Sequence, residues 1–215
     1  MAQTIEKKPV IIFGATGVGK IAYDIFISNG VEVYCFLDDE DERVGLEIGE
    51  VSVLGKTDDD GFLKYVGKKC DAFIASDEAG YRESLVDLLK ERRKVIPINA
   101  IHSRANISPK ADIGYGNLLA QGVSVSAFSE IKNHCILHAN SIVDYDVSIG
   151  DFVQIGAGSI VNSGAKIESG AFIGSGAIII SGVKVGANAR IGAGSVVVKD
   201  VKKGQTVFGN PAVVV

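Results

Sequence analysis

The sequence predicts two units of different class in one chain. Residues 1–100 read as an α/β unit on a small parallel, Rossmann-like sheet, and residues 101–215 as an all-β solenoid. Two observations carry this. From residue 107 to 202 an aliphatic residue heads every block of six without a slip, from Ile107, Ile113 and Leu119 to Val185, Ile191 and Val197. Ahead of that repeat, short apolar runs alternate with amphipathic stretches across glycine turns, the pattern of strands alternating with helices.

Taken in order, residues 9–13 form a β-branched apolar run that enters the turn Gly14-Ala15-Thr16-Gly17-Val18-Gly19-Lys20. An amphipathic segment over residues 21–28 follows and stops at Asn29-Gly30. Residues 31–37 read as a second buried strand that ends in Asp38-Asp39. Strand, tight glycine turn and helix suit a nucleotide, because glycines let phosphate or ribose approach the N–H groups of a helix N-terminus. Carboxylates at the next strand end accept from hydroxyl or base N–H groups. The spacing of Gly14, Gly17 and Gly19 departs from GxGxxG. Ile21 stands where a P-loop needs Ser or Thr for Mg²⁺, so the turn is not an NTPase signature. Strands are expected over residues 51–54, 71–75 and 95–98, and helices over 58–66 and 83–93. The acidic clusters at 38–42 and 58–60 read as turn and cap residues; only Asp38 and Asp39 have a positional reason to do more.

A period of six fits neither a helix nor a plainly alternating strand. It fits a two-residue strand followed by a bend, with the head residue and the one two places before it facing inward. That second column is small or modest in size, for example Asn117, Val123, Ser159 and Ala177. The position after each head is rich in glycine (Gly114, Gly150, Gly156, Gly174, Gly186, Gly192), with Asp144 and Asn162 elsewhere in the column, so positive φ is expected there. Such units stack into a solenoid, each coil burying its aliphatics against the next.

Composition narrows the function. Net charge is −4, and Lys/Arg and Asp/Glu are balanced over the repeat, so no basic stripe is available to track nucleic acid. Apolar runs are strand-sized, which argues against a membrane span. The three cysteines are isolated, with no spacing suited to zinc, and suit a reduced, cytoplasmic protein.

The repeat resembles the hexapeptide-repeat acyltransferases, which implies a left-handed parallel β-helix with three hexads per coil. Ile191-Gly-Ala-Gly-Ser-Val-Val-Val-Lys199-Asp200 and Gly209-Asn210-Pro211-Ala212 resemble that family's closing signature, with Val213 where a basic residue is usual. Over nearly its whole length the chain resembles the branch with an N-terminal nucleotide-sugar-binding domain, which includes nucleotide-linked amino-sugar N-acetyltransferases and sialic acid O-acetyltransferases. The stretches that carry this are residues 11–20, 36–39, 53–55 and 149–156.

The resemblance implies an acyl-CoA-dependent N-acetyltransferase of cell-surface glycan biosynthesis, with acetyl-CoA as co-substrate, no metal, and a homotrimer. Sugar O-acetylation and a non-catalytic nucleotide-sugar-binding solenoid are the competing readings. By position, Thr16, Gly17, Asp38, Asp39 and Ser76 would contact the nucleotide-sugar, with Ser76 replacing a family glycine. Gln154, Ser175, Ala193, Lys199 and Asn210 would line the acyl-CoA groove between subunits. Phe152 and Phe172 would be interface or pantetheine contacts, or cover a coil face.

The catalytic stretch departs from the pattern. Tyr145 occupies the place of the histidine base, beside Asp146, which matches its supporting carboxylate. Val18 and Gln154 replace two further histidines. A phenol of ordinary pKa, about 10, is a poor base near neutral pH. The sequence therefore leaves three readings: Tyr145 with Asp144 or Asp146 orients an amine that loses its proton to water, His138 from the adjacent hexad's bend is the base, or the protein is inactive or acts on another substrate. His102 and His134 read as surface histidines.

Overall fold

The computed structural model describes residues 7–215, and the chain divides between Ile98 and Asn99 into two units. In the first, strand β1 (Val10–Phe13) is central and wholly buried, as a strand covered on both faces must be. Helix α1 (Gly17–Ser28) leads to β2 (Val33–Leu37), which pairs in parallel with β1. Strands β3 (Glu47–Ile48) and β4 (Val51–Gly55) form an antiparallel hairpin whose second strand joins β2 in parallel. Helix α2 (Asp60–Leu63), β5 (Asp71–Ile74) and α3 (Ala79–Arg93) complete the unit. The sheet order β3-β4-β2-β1-β5 places β2 and β5 on opposite sides of β1.

Three sequence expectations need correction. Residues 95–98 form no strand; Ile98 only donates its N–H to the Ala72 carbonyl. Helix α2 is a single turn, because Asp59 caps it through the Gly61 N–H while Gly67 (φ +78) turns the chain back soon afterwards. Helix α3 begins four residues earlier than expected, at Ala79.

The second unit is a three-sided stack of parallel two-residue strands. Each pairs with the strand eighteen positions on, as Ile136–Leu137 does with Gln154–Ile155 and that strand with Phe172–Ile173. The hexad heads fill the interior: Val143, Ile149, Ile155 and Val161 are fully buried. Inward polar residues are tied to backbone. Asn117 accepts the Cys135 N–H at 2.7 Å and donates to the Lys132 carbonyl at 2.9 Å.

Positive φ does not fall after each head, as the glycines there suggest, but three places after it. Gly116, Gly122, Phe128, His134, Asn140, Asp146 and Phe152 lie in that column, with φ between 57° and 73°. The glycines one place after the head answer to crowding instead. A Cβ on Gly156 would lie 2.4 Å from the Ser175 nitrogen, and one on Gly174 would lie 2.5 Å from the Ala193 nitrogen.

The three outer faces differ in chemistry. One is aliphatic, with Ile142, Ile160, Ile178 and Val196 stacked in successive coils and partly or fully exposed. A second is charged, with Glu130, Ser148, Lys166 and Lys184 in register. The third is mixed: Leu118 and Ile136 are buried, then come Gln154, Phe172 and Arg190, and the hairpin Thr206–Gly209/Ala212–Val214 closes it. The histidines expected at the surface are buried. His134 lies between the rings of Tyr115 and Phe152, and His102 accepts the Arg104 N–H through Nδ1. Phe152 thus covers a corner, and Phe172 packs against the Arg190 guanidinium.

Candidate active site

In the first unit, β1, β2 and β5 end side by side, and the loops after them line an open pocket of about 380 Å³. Ligands of open α/β sheets bind at such carboxyl ends, where successive connections leave the central strand in opposite directions. Thr16, Asp38, Asp39 and Ser76 all line the pocket, together with Gly14, Glu40, Arg43 and Tyr81. The three turn glycines have different reasons. A Cβ on Gly14 would lie 2.2 Å from the Ala75 carbonyl oxygen, and one on Gly19 would lie 2.2 Å from that of Gly14. Gly17, the first residue of α1, faces open space, which leaves the helix N-terminus accessible to an anion. The Thr16 hydroxyl oxygen is buried with no hydrogen-bond partner among the described residues.

Asp38 and Asp39 act first as braces. Asp38 accepts the Ala15 N–H at 2.8 Å and the Glu40 N–H at 3.0 Å, and pairs with Arg43 at 3.0 Å, so it ties the glycine turn to the β2 end. Asp39 accepts the Thr57 N–H and hydroxyl and, at 2.6 Å, the Tyr81 hydroxyl. Burial raises the Asp39 carboxyl, but these three donors and the Lys56 charge together hold it below its usual value. Ser76 accepts the Glu78 N–H, and its carbonyl is gripped by the buried Arg82 at 2.7 Å. Arg43, Tyr81 and Arg82 escape a sequence reading because no motif marks them; the fold alone brings them to the strand ends.

The Asp39 brace has a testable consequence. Asp39→Ala would leave the buried Thr57 donors without an acceptor, at a cost of about 1–3 kcal/mol at neutral pH. A carboxyl with a lowered folded-state pKa stabilises above its unfolded value, about 3.9, and that contribution is lost as pH falls through the folded value. Melting curves of wild type and variant should therefore differ at pH 7 and converge on acidification below about pH 4.

In the second unit the sequence-assigned residues fall on two edges of the stack. Gln154 lies on the mixed face, and His138, Ser175, Ala193 and Asn210 on the edge where that face meets the aliphatic one. Ser175 and Ala193 are exposed one coil apart, while Gln154 is buried. Tyr145, Asp144, Asp146 and Lys199 lie on the other edge of the aliphatic face, Tyr145 and Lys199 in the same column. Tyr145 is 53 % exposed, and Asp144 accepts the Tyr145 N–H at 2.8 Å instead of reaching its hydroxyl. His138 Nε2 lies 3.1 Å from the side-chain nitrogen of Gln154. Sequence reasoning placed these two residues in separate roles; the structure pairs them. Among the described residues no group of His, Cys, Asp and Glu is arranged to hold a metal ion.

Comparison with known proteins agrees with both halves. The bacterial transferase hexapeptide family (six repeats) matches residues 164–199, and the PglD N-terminal domain matches residues 9–89. Perosamine N-acetyltransferase from Caulobacter crescentus, solved with CoA and GDP-perosamine, is similar over 98 % of each chain, with 27 % identity and a TM-score of 0.90. The acetyltransferase domain of PglB from Neisseria gonorrhoeae, solved with acetyl coenzyme A, shares 29 % identity over 98 % of this chain and 100 % of that one, with a TM-score of 0.89. WeeI from Acinetobacter baumannii shares 28 % identity over 97 % and 100 %, with a TM-score of 0.82. The chain thus carries a bacterial transferase hexapeptide repeat behind a PglD-type N-terminal domain, and it is similar over both to sugar acetyltransferases.

Proposed function

We propose that this protein is an acetyl-CoA-dependent N-acetyltransferase acting on a nucleotide-linked amino-sugar in cell-surface glycan synthesis. The observation that carries the reading is the likeness, over both units at once, to an enzyme solved with CoA and a nucleotide-linked amino-sugar. In this reading residues 1–100 bind the nucleotide-sugar, with its phosphates at the open N-terminus of α1 beside Thr16 and Gly17. Residues 101–215 wind as a left-handed β-helix and hold acetyl-CoA along the edge that carries Ser175, Ala193 and Asn210. The cytoplasm suits this work, since the three cysteines are buried and none is in a disulfide. Among the described residues no helix is long and apolar enough to cross a membrane.

The aliphatic face supports a homotrimer. A column of isoleucines left partly or fully exposed on one side of a solenoid is costly in water and supports a surface that another copy covers. Packing three such faces around a three-fold axis sets the edge bearing His138 and Ser175 of one copy against the edge bearing Tyr145 and Lys199 of the next. His138 and Tyr145 belong to the same coil, so they meet at the same height, and the acyl-CoA groove lies between copies.

Mixing the protein with acetyl-CoA and a panel of GDP-, UDP- and dTDP-linked 4-amino-sugars, then measuring CoA release and the mass of the sugar product, tests the function. Turnover with amine acceptors is expected. Turnover on hydroxyl acceptors alone would make the enzyme an O-acetyltransferase. Tight nucleotide-sugar binding with no turnover on any acceptor would make it a binding module.

A further inference from the structure

We infer that Phe208 is the platform on which the purine ring of the acyl-CoA donor stacks, and that this end of the donor is recognised by ring contact and not by charge, so that its ribose 3′-phosphate adds little to binding. The inference rests on the function proposed above and names the residue that holds the far end of its acyl donor.

One column of the stack carries the argument. On the edge between the mixed and aliphatic faces, the residue after each hexad head is His138, then Gly156, Gly174 and Gly192, and then Phe208, each one ladder step beyond the last. The glycines answer to close approach from the next coil. A Cβ on Gly156 would strike the Ser175 nitrogen, one on Gly174 the Ala193 nitrogen, and one on Gly192 the Phe208 ring. The neighbouring column reads Ala139, Ala157, Ser175, Ala193 and Gly209. Between the two rings, nothing in either column is larger than serine, and Ala157, Ser175 and Ala193 are exposed along it. The edge is a smooth track with an aromatic ring at each end.

Its length fits the donor. Parallel strands lie about 4.8 Å apart, so the steps from His138 to Phe208 span roughly 19 Å. The extended pantetheine chain of CoA, from sulfur to the first phosphorus, reaches about 15 Å. A thioester at the His138 coil then sets the diphosphate near the Gly192 coil and the purine one step on, at Phe208. In the proposed trimer the exposed Lys199 of the facing edge stands in the Gly192 coil, level with the diphosphate.

The end of the track is apolar. Phe208 is 54 % exposed and lies opposite Val213 in the antiparallel hairpin, so both side chains stand on one face. Val213 is exposed as well, and residues 204–215 carry no charged side chain. An exposed phenyl ring over a glycine offers a flat π face that a purine can cover, and base–aromatic stacking needs no charge. A ribose 3′-phosphate beside that ring would meet no cation of the hairpin.

Isothermal titration calorimetry on the full-length protein tests this without turnover. Phe208→Leu, which keeps an apolar side chain but no ring face, should raise the Kd for CoA about tenfold, and Phe208→Tyr should stay within about threefold of wild type. Binding of 4′-phosphopantetheine, which lacks the adenosine, should be the same in wild type and Phe208→Leu. Wild type should bind dephospho-CoA within about threefold of CoA, as expected for a solvent-exposed charge without a partner. An unchanged Kd for CoA in Phe208→Leu overturns the inference, as does an equal loss for phosphopantetheine, which would make Phe208 a structural residue. Binding of dephospho-CoA about tenfold weaker than CoA overturns recognition without charge. If wild type binds CoA but acetylates no acceptor, the proposed function fails and the calorimetry still decides the role of Phe208. If it binds no CoA, both fall.

Discussion

Replacing Ile160 and Ile178 together with glutamate is expected to convert the protein to a monomer and reduce acetyl transfer to background, while nucleotide binding and secondary structure persist. The two side chains are consecutive in the aliphatic column, one directly above the other in the parallel ladder. As isolated surface residues they would tolerate a charge at little cost. Against a second copy, each glutamate would be a buried carboxylate without a partner, which costs roughly 3–5 kcal/mol. A three-fold assembly repeats that penalty at every contact. Because acetyl-CoA is proposed to lie between two copies, loss of assembly removes half of each site. Sedimentation equilibrium and the CoA-release assay on the same preparation check this. A variant that remains a trimer, or a monomer that keeps its turnover, would sink the proposed assembly.

The second large effect follows from crowding in the coil. Gly174→Ala should lower the melting temperature of the second unit by about 10 °C, whereas the same change at Gly176 should cost far less. Both glycines belong to one turn, but for different reasons. At Gly174 the added methyl would sit 2.5 Å from the Ala193 nitrogen and 2.8 Å from the Gly192 carbonyl carbon. Those atoms are held by the ladder, in which the Gly174 N–H donates to Ile191 at 2.8 Å, so the coils must separate. Overpacking of this kind costs about 3 kcal/mol, enough for the shift given. At Gly176 nothing lies within 4 Å of a Cβ; only the positive φ of 68° is strained, at about 1 kcal/mol. Differential scanning calorimetry of the two variants separates the causes. Equal losses would mean that backbone strain, not contact between coils, decides both.

Much of the solenoid was legible because its signal is local and repeated. A head residue every six positions forces the chain to bend at the same interval, and sixteen repetitions leave no other periodic solution. The α/β unit was legible where apolar runs met glycine turns, at β1, α1 and β2. It was misread over residues 95–98, where an apolar run finds one hydrogen bond to Ala72 and no strand partner beyond it.

The glycine columns mark the boundary of what a sequence alone settles. Glycine is favoured both where φ is positive and where two backbones touch, so composition cannot separate the position after each head from the one three places on. Only the approach of the next coil does so, as at Gly174 and Gly176. Burial of His134 was hidden as well, since Tyr115 and Phe152, which flank its ring, come from the turns of adjacent coils.

The sequence by itself determined that this chain is a repeating coil behind a strand, glycine turn and helix, and which stretches resemble the acyltransferases. Tertiary structure alone decided how those residues group. His138 and Tyr145 are seven positions apart, yet they lie on different edges of one coil. His138 and Gln154 are sixteen apart, yet nearly one full turn of eighteen residues sets their side chains 3.1 Å from each other. Separation along the chain measures how far around the stack a residue has travelled, and contact depends on the remainder after whole turns.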